Sequence, residues 1–324
     1  MAKQTIKRYM DEGLTINEAF DEFILEKTAL NLSRKTLIDY DSSMKHFKKE
    51  LDIDGDIFLV EDIDAKAFYK WINVMKGRGI KDVTVNSHLA LVRAFFYWCM
   101  SEERQYIKQP FKIKLLRVQE AAPKHYSEEE VEALTQKPKV MASFTEWRSW
   151  AVISFIIGTG ARASTVCEVK MGDIDFTNKE ITLGHTKNNK ALIVPLSPAL
   201  ESVLKEYIRI WRRTALPTSW LFPTRANSQL NANSLWAGTE RFFRIRGVDK
   251  TSIHGLRHTF AVGWVRNNGN MFALQKILGH SCLDMTRKYV KLFAEDIKVD
   301  FELYNPLDTI KRNKNKKQTI KKSV

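Results

Sequence analysis

Cysteine is scarce in this 324-residue chain, and its three copies, Cys99, Cys167 and Cys282, lie far apart. An odd number at such spacings excludes a disulfide framework and the paired spacing of a zinc site, and it suits a reducing compartment. No apolar run approaches the roughly 20 residues that span a bilayer. The start, MAKQTIKRYMDEG, lacks the apolar segment of a secretory leader. A cytoplasmic location with no membrane partner is therefore expected. A Gly-rich phosphate loop of the Walker type is missing too. Acid is in short supply: 38 Asp and Glu face 52 Lys and Arg, for a net charge of +14. A surplus of that size bears on partners rather than fold. It places nucleic acid modestly ahead of a basic surface that is simply solvated.

What is present divides into two units, as the length suggests. The first hundred residues read as helical. Thr15 and Glu18 in TINEAFDEFILEK have capping-box spacing, and Ile16, Ala19, Phe20, Phe23 and Ile24 follow with helical period. Ser33 can cap a second helix with Leu37, Tyr40, Met44 and Phe47 on one face. A third helix is expected in DAKAFYKWINVMKGRG, and a fourth in VTVNSHLALVRAFFYWCMSEE with Val85, Leu89, Val92, Phe95 and Phe96 facing a core. After Arg104 the period disappears, and residues 105–125 read as an extended basic linker. Ser127 and Glu130 form another capping box that opens the second unit. There the apolar run WAVISFIIGTG ends in glycines. Three short strand signals follow, DIDF, EITL and ALIVPL, the last two joined by the turn GHTKNNK. Helical patterns resume from Pro198. The lysine-rich tail KRNKNKKQTIKK contains no acid and reads as a loose electrostatic arm. The expected fold is mainly α with a small antiparallel sheet. The divisions are a helical domain over 1–104, a linker over 105–125, a mixed α/β domain over 126–300 and a terminal segment over 301–324.

Several polar residues of the second unit sit where apolar or neutral ones would be unremarkable. Arg162 follows an apolar helix. Lys187 lies in the hairpin turn, with Lys190 and His185 as rivals for any role there. His254 and Arg257 share HGLRHTF, and His280 and Tyr289 share LGHSCLDMTRKYV. The set includes neither a carboxylate pair nor a cluster of metal ligands. Two arginines can grip the non-bridging oxygens of one phosphate and stabilise a pentacoordinate phosphorus. A tyrosine can attack that phosphorus and hold it covalently. A histidine can manage the tyrosine proton or bond a phosphate oxygen, and a lysine can protonate a leaving 5′ oxygen. Singly, each has a plainer reading: a capping arginine, a structural histidine, a solvated lysine, a half-buried tyrosine. Together they suffice for cleaving and rejoining DNA through a phosphotyrosine without a metal.

In this order and spacing the residues resemble the tyrosine recombinase (phage integrase) family. TGARASTVCEVKMGDID is similar to its first box, which implies that Arg162 is the first catalytic arginine. HTKNNKALIVPL is similar to its hairpin, implying Lys187, and HGLRHTFA to its His-x-x-Arg box, implying His254 and Arg257. LGHSCLDMTRKYV is similar to its last box, implying His280 and the nucleophile Tyr289. The resemblance covers roughly residues 14–300 and makes the first unit a core-binding domain. It implies a catalytic domain over 126–300, no cofactor and no resident metal. Thr165 stands where many members carry Glu, which puts the local hydrogen bonding in question. With about a dozen residues before the first helix, no separate arm-binding domain is expected.

The resemblance implies an enzyme that binds double-stranded DNA core sites in a C-shaped clamp, as a monomer when free and a homotetramer at synapsis. Arg34, Lys35, Asn86 and Arg93 are candidate DNA contacts from the first unit. Residues 292–310 have the apolar content to dock on a neighbouring protomer, or equally to pack on their own domain. A nucleoid-associated mobile-element integrase is the first choice, and whether accessory proteins set its direction stays open. Dimer resolution or inversion, a type IB topoisomerase and a non-cleaving DNA-binding relative are the alternatives. Tyr304 is the rival nucleophile.

Overall fold

The computed structural model describes residues 13–118, 123–184, 192–280 and 282–290. The chain divides into two compact units, residues 1–120 and 121–324. Among the described residues no helix is long and apolar enough to cross a membrane.

The first unit is built on four helices, α1 (Ile16–Ala29), α2 (Arg34–Leu51), α3 (Ala65–Gly77) and α4 (Asp82–Cys99). Each of the first three starts where a side chain can satisfy orphan backbone donors. Thr15 and Glu18 form the full reciprocal box, Ser33 caps α2, and the Asp64 carboxylate accepts from two amides of α3. The apolar faces meet in an aromatic core. Phe20, Phe23, Phe47, Phe68, Trp71, Phe95 and Phe96 are buried there, with edge-on contacts such as Phe68 on Phe96 at 5.2 Å. Edge-to-face packing adds roughly 0.5–1.5 kcal/mol per pair to the burial itself.

Residues 105–118 belong to the same unit. Ile107 and Ile113 are buried in its core. The Asn86 side chain donates to the Leu116 carbonyl (2.9 Å) and accepts from the Leu116 amide (2.8 Å), as a neighbouring strand would.

In the second unit α5 (Glu128–Thr135), capped by the Ser127–Glu130 box, packs on α6 (Phe144–Thr159). Helix α6 is apolar on nearly every face, and such a helix belongs in the centre of a core. Around it lie α8 (Pro198–Tyr207), α9 (Ala232–Ile245) and α10 (Ile253–Arg266). Helix α7 (Ala163–Val166) follows α6 after a short turn. The strands β1 (Ile174–Asp175), β2 (Glu180–Leu183) and β3 (Leu192–Pro195) form an antiparallel sheet in that order. Its register aligns Ile174, Ile181 and Val194, all buried, on the core side. The turn between β2 and β3, residues 185–191, lies outside the described residues. Helices α11 (Met271–Leu278) and α12 (Asp284–Val290) pack on α10.

Candidate active site

The site is assembled at helix ends. Helix α6 stops at Gly160, which adopts φ +67°, a left-handed conformation that favours glycine. A Cβ at this position would stand 2.6 Å from Phe260 Cδ1. Helix α11 stops in the same way at Gly279, φ +59°. Each end leaves carbonyl oxygens without helical partners and carries the negative end of a helix dipole.

Arg257 fills both ends. Its Nη1 donates to the Gly160 carbonyl and its Nη2 to the Leu278 carbonyl, each at 2.7 Å. Its residue exposure is only 4 %. Burial, and after it the charge of Arg162, pulls the guanidinium down to about 10, so it stays cationic at neutral pH. Arg162, exposed just before α7, donates to the Gly279 carbonyl at 3.2 Å. Two arginines nearly a hundred residues apart in the chain thus meet at one turn.

His280 continues that turn. Arg257 Nη2 lies 3.1 Å from His280 Nε2, and Thr286 Oγ1 lies 2.8 Å from His280 Nδ1. A guanidinium can only donate, so Nε2 accepts and the ring proton sits on Nδ1, directed at Thr286. His254, on the first turn of α10, is exposed and meets the His258 ring edge-on at 4.4 Å. Tyr289 is 1 % exposed, packed with Ala261, Val262, Leu274 and Leu278. Its hydroxyl lies 2.7 Å from His258 Nδ1. Burial pushes the phenol above its ordinary value, opposed by the nearby charge of Arg257.

Of the six expected catalytic residues, Arg162, Arg257 and His280 meet at the 278–280 turn, while His254 and Tyr289 meet at His258, the residue after Arg257. Lys187, with its rivals Lys190 and His185, lies outside the described residues, as do residues 292–310 and Tyr304. Thr165 lies in the short helix α7. His258 and Thr286 were not singled out from sequence. His258 stands one turn after His254, a spacing that puts both on one helix face. Thr286 carries no comparable signal.

In the first unit Arg34 and Lys35 are exposed at the start of α2, and Lys35 pairs with Asp39 at 3.3 Å. Arg93 lies over the Tyr97 ring at 5.6 Å, and both polar ends of Asn86 are engaged by Leu116.

A helical unit, a small antiparallel sheet, two arginines on one turn and a buried tyrosine bonded to a histidine are the features to set beside known proteins. Residues 124–296 match the phage integrase family and residues 18–103 match the phage integrase N-terminal SAM-like domain. The chain belongs to the phage integrase family and is a site-specific recombinase that cleaves and rejoins DNA. It is similar to tyrosine recombinase XerA of Pyrococcus furiosus, at 26 % identity, over 76 % of this chain and 82 % of that protein. The Tn1549 transposon integrase in complex with transposon right end DNA shares the fold, with TM-score 0.72 and 19 % identity over 85 % of this chain and 94 % of the other. So does a lambda integrase tetramer bound to a Holliday junction, with TM-score 0.66 and 17 % identity over 86 % and 78 %.

Proposed function

We propose that Tyr289 is the nucleophile of this recombinase and that Arg162, Arg257 and His280 hold the scissile phosphate. The observation that carries this reading is the convergence on the 278–280 turn. Arg257 is oriented by two carbonyls that leave its charge unneutralised, and the Tyr289 hydroxyl is bonded to the next residue of the same helix. A phosphate entering here meets a preorganised positive site. Tyr289 attack forms a 3′-phosphotyrosine and frees a 5′ oxygen. Lys187, on the family pattern, protonates that oxygen, and His254 assists from the helix face. The rejoining step runs this in reverse.

The substrate is double-stranded DNA carrying two core sites, held chiefly by phosphate contacts and therefore with strong salt dependence. The first unit, residues 1–120, binds the core site, with Arg34, Lys35 and Arg93 as its contacts, while Asn86 is taken up by Leu116. Four protomers act at synapsis, as in the lambda integrase tetramer. The transposon integrase likeness favours a mobile-element role.

The test uses the full chain. A duplex selected from a randomised pool by the Tyr289→Phe variant is remade with a nick that lets the cleaved end diffuse away. Wild type accumulates a covalent adduct stable to denaturation; Tyr289→Phe binds equally well and forms none. An adduct surviving in Tyr289→Phe and lost in Tyr304→Phe overturns the assignment.

A further inference from the structure

The imidazole that touches the Tyr289 hydroxyl is absent from the set above. It belongs to His258, whose Nδ1 lies 2.7 Å from Tyr289 Oη. We infer that His258 is a further catalytic residue, the base that takes the phenolic proton as Tyr289 attacks phosphorus. The inference rests on the reading of Tyr289 as nucleophile.

The chemistry requires such a group. A phenol ionises near pH 10 even when exposed, and burial among Ala261, Val262, Leu274 and Leu278 disfavours the phenolate further. A buried tyrosine therefore reacts only if its proton leaves as the new bond forms. His280 is badly placed for this work. Its Nε2 lone pair accepts from Arg257 and its Nδ1 hydrogen is directed at Thr286. His254 is exposed and meets the pair from behind His258, ring centroids 4.4 Å apart. His258 is already at the distance at which a catalytic base takes a proton.

Its position on α10 adds two properties. His258 and Arg257 are consecutive residues of one rigid helix, so base and phosphate ligand keep a fixed spacing. His254, one turn earlier on the same helix, packs edge-on against the His258 ring and limits how far the imidazole can turn away from Tyr289. An incoming phosphate supplies the negative charge that makes the imidazolium tolerable.

In the forward step the Tyr289 Oη–H proton passes to His258 Nδ1 while the Oη–P bond forms. The P–O5′ bond breaks, its electron pair leaves with the 5′ oxygen, and that oxygen takes a proton from Lys187. In rejoining, the 5′ hydroxyl returns its proton to Lys187 and attacks phosphorus. The P–Oη bond breaks, and the tyrosine oxygen recovers its proton from His258.

The test measures single-turnover adduct formation by the full chain on the selected nicked duplex. His258→Ala is expected to slow it by about 10²–10³-fold with DNA affinity unchanged. His258→Asn, which offers an amide oxygen near the Nδ1 position but cannot take the proton, is expected to be as slow. A fluorinated tyrosine of lower pKa at position 289 should recover at least about tenfold in the His258→Ala background, since it needs less help to ionise. Adduct formation by His258→Ala at the wild-type rate or faster overturns the inference, the faster rate marking a bond that only parks Tyr289. Restoration by His258→Asn overturns it too, by reducing His258 to a positioning residue. These results are separable from failure of the nucleophile assignment, in which wild type itself forms no adduct through Tyr289.

Discussion

Arg257 Nη2 lies 2.7 Å from the carbonyl oxygen of Leu278, so the central arginine of the site is tied to the last residue of a neighbouring helix. A carbonyl orients a guanidinium without cancelling its charge, whereas a carboxylate partner does both. The same holds for the Gly160 carbonyl at the end of α6. Carbonyl oxygens at helix ends thus hold Arg257 in place while its charge remains available to a phosphate.

Arg257→Lys should therefore fail although it preserves charge. A lysine can reach at most part of this arrangement and lacks the planar fork that serves two carbonyls and a phosphate together. Adduct formation should fall at least about 100-fold, the scale of losing a transition-state charge ligand. The second unit should lose about 1–3 kcal/mol through a buried carbonyl left unsatisfied. Rate and urea midpoint are read on the same preparation.

Gly160→Ala tests the turn that holds Arg257. The residue sits at φ +67°, and the added Cβ would meet Phe260 Cδ1 at 2.6 Å and Leu278 Cδ2 at 2.8 Å. Backbone strain alone is worth about 1–3 kcal/mol, and the clash pushes α10 and α11 apart where Arg257 bridges them. Both thermal stability and adduct rate should drop. A variant as stable and active as wild type would show that the turn tolerates displacement.

Thr286→Val removes the hydroxyl facing His280 Nδ1 at 2.8 Å with little change in volume. The ring then loses the acceptor for its Nδ1 hydrogen, and Nε2 is no longer held where it accepts from Arg257. Loss of one buried hydrogen bond of about 1.4 kcal/mol corresponds to roughly tenfold in adduct rate. DNA affinity should stay within twofold, which separates this outcome from a general loosening of α12.

In the first unit the candidate DNA contacts divide by their present engagements. Asn86→Ala should destabilise the unit by about 1–3 kcal/mol, because both Leu116 backbone groups lose a partner. It should leave the salt dependence of binding unchanged. The double change Arg34→Ala with Lys35→Ala removes two exposed cations, and the pair that Lys35 makes with Asp39 faces solvent and is worth little. It should leave stability alone and lower the slope of log affinity against log salt by up to about 2. Titrations at several salt concentrations check both.

Much of this organisation is readable from residue pattern because its causes are local. The capping boxes at Thr15 and Ser127 and the apolar faces of α1, α2 and α4 lie within single turns of chain. So does the alternation that puts Ile181 and Leu183 on the core side of β2. Arg162, Arg257, His280 and Tyr289 are legible through the order of their boxes. Their geometry is not, because it depends on two helix ends meeting in space. His258 was visible only as the residue after Arg257; its distance to Tyr289 depends on how α12 packs on α10. The packing of residues 105–118 is hidden for another reason. Ile107 and Ile113 are isolated apolar residues in an irregular segment, and no period marks which side faces the core.

Acid should weaken the first unit through Glu26. Its carboxylate accepts from Lys27 (2.8 Å), Trp98 Nε1 (2.7 Å) and Arg104 (3.0 Å), and these bonds, Lys27 first, hold it down to about 2 against an ordinary 4.5. The folded carboxyl is the stronger acid, so its stabilisation is complete above the unfolded value near 4.5. It is lost as pH falls through the folded value near 2. For a partly solvated group this amounts to about 1–2 kcal/mol at neutral pH. Glu26→Gln should lower stability by that amount at pH 7 and by progressively less below pH 4.5, the two proteins converging near pH 2. The difference between their urea midpoints across that range isolates Glu26 from the other titrating acids. A constant difference would mean that the bonds from Trp98 and Arg104 stabilise the fold without depending on the carboxylate charge.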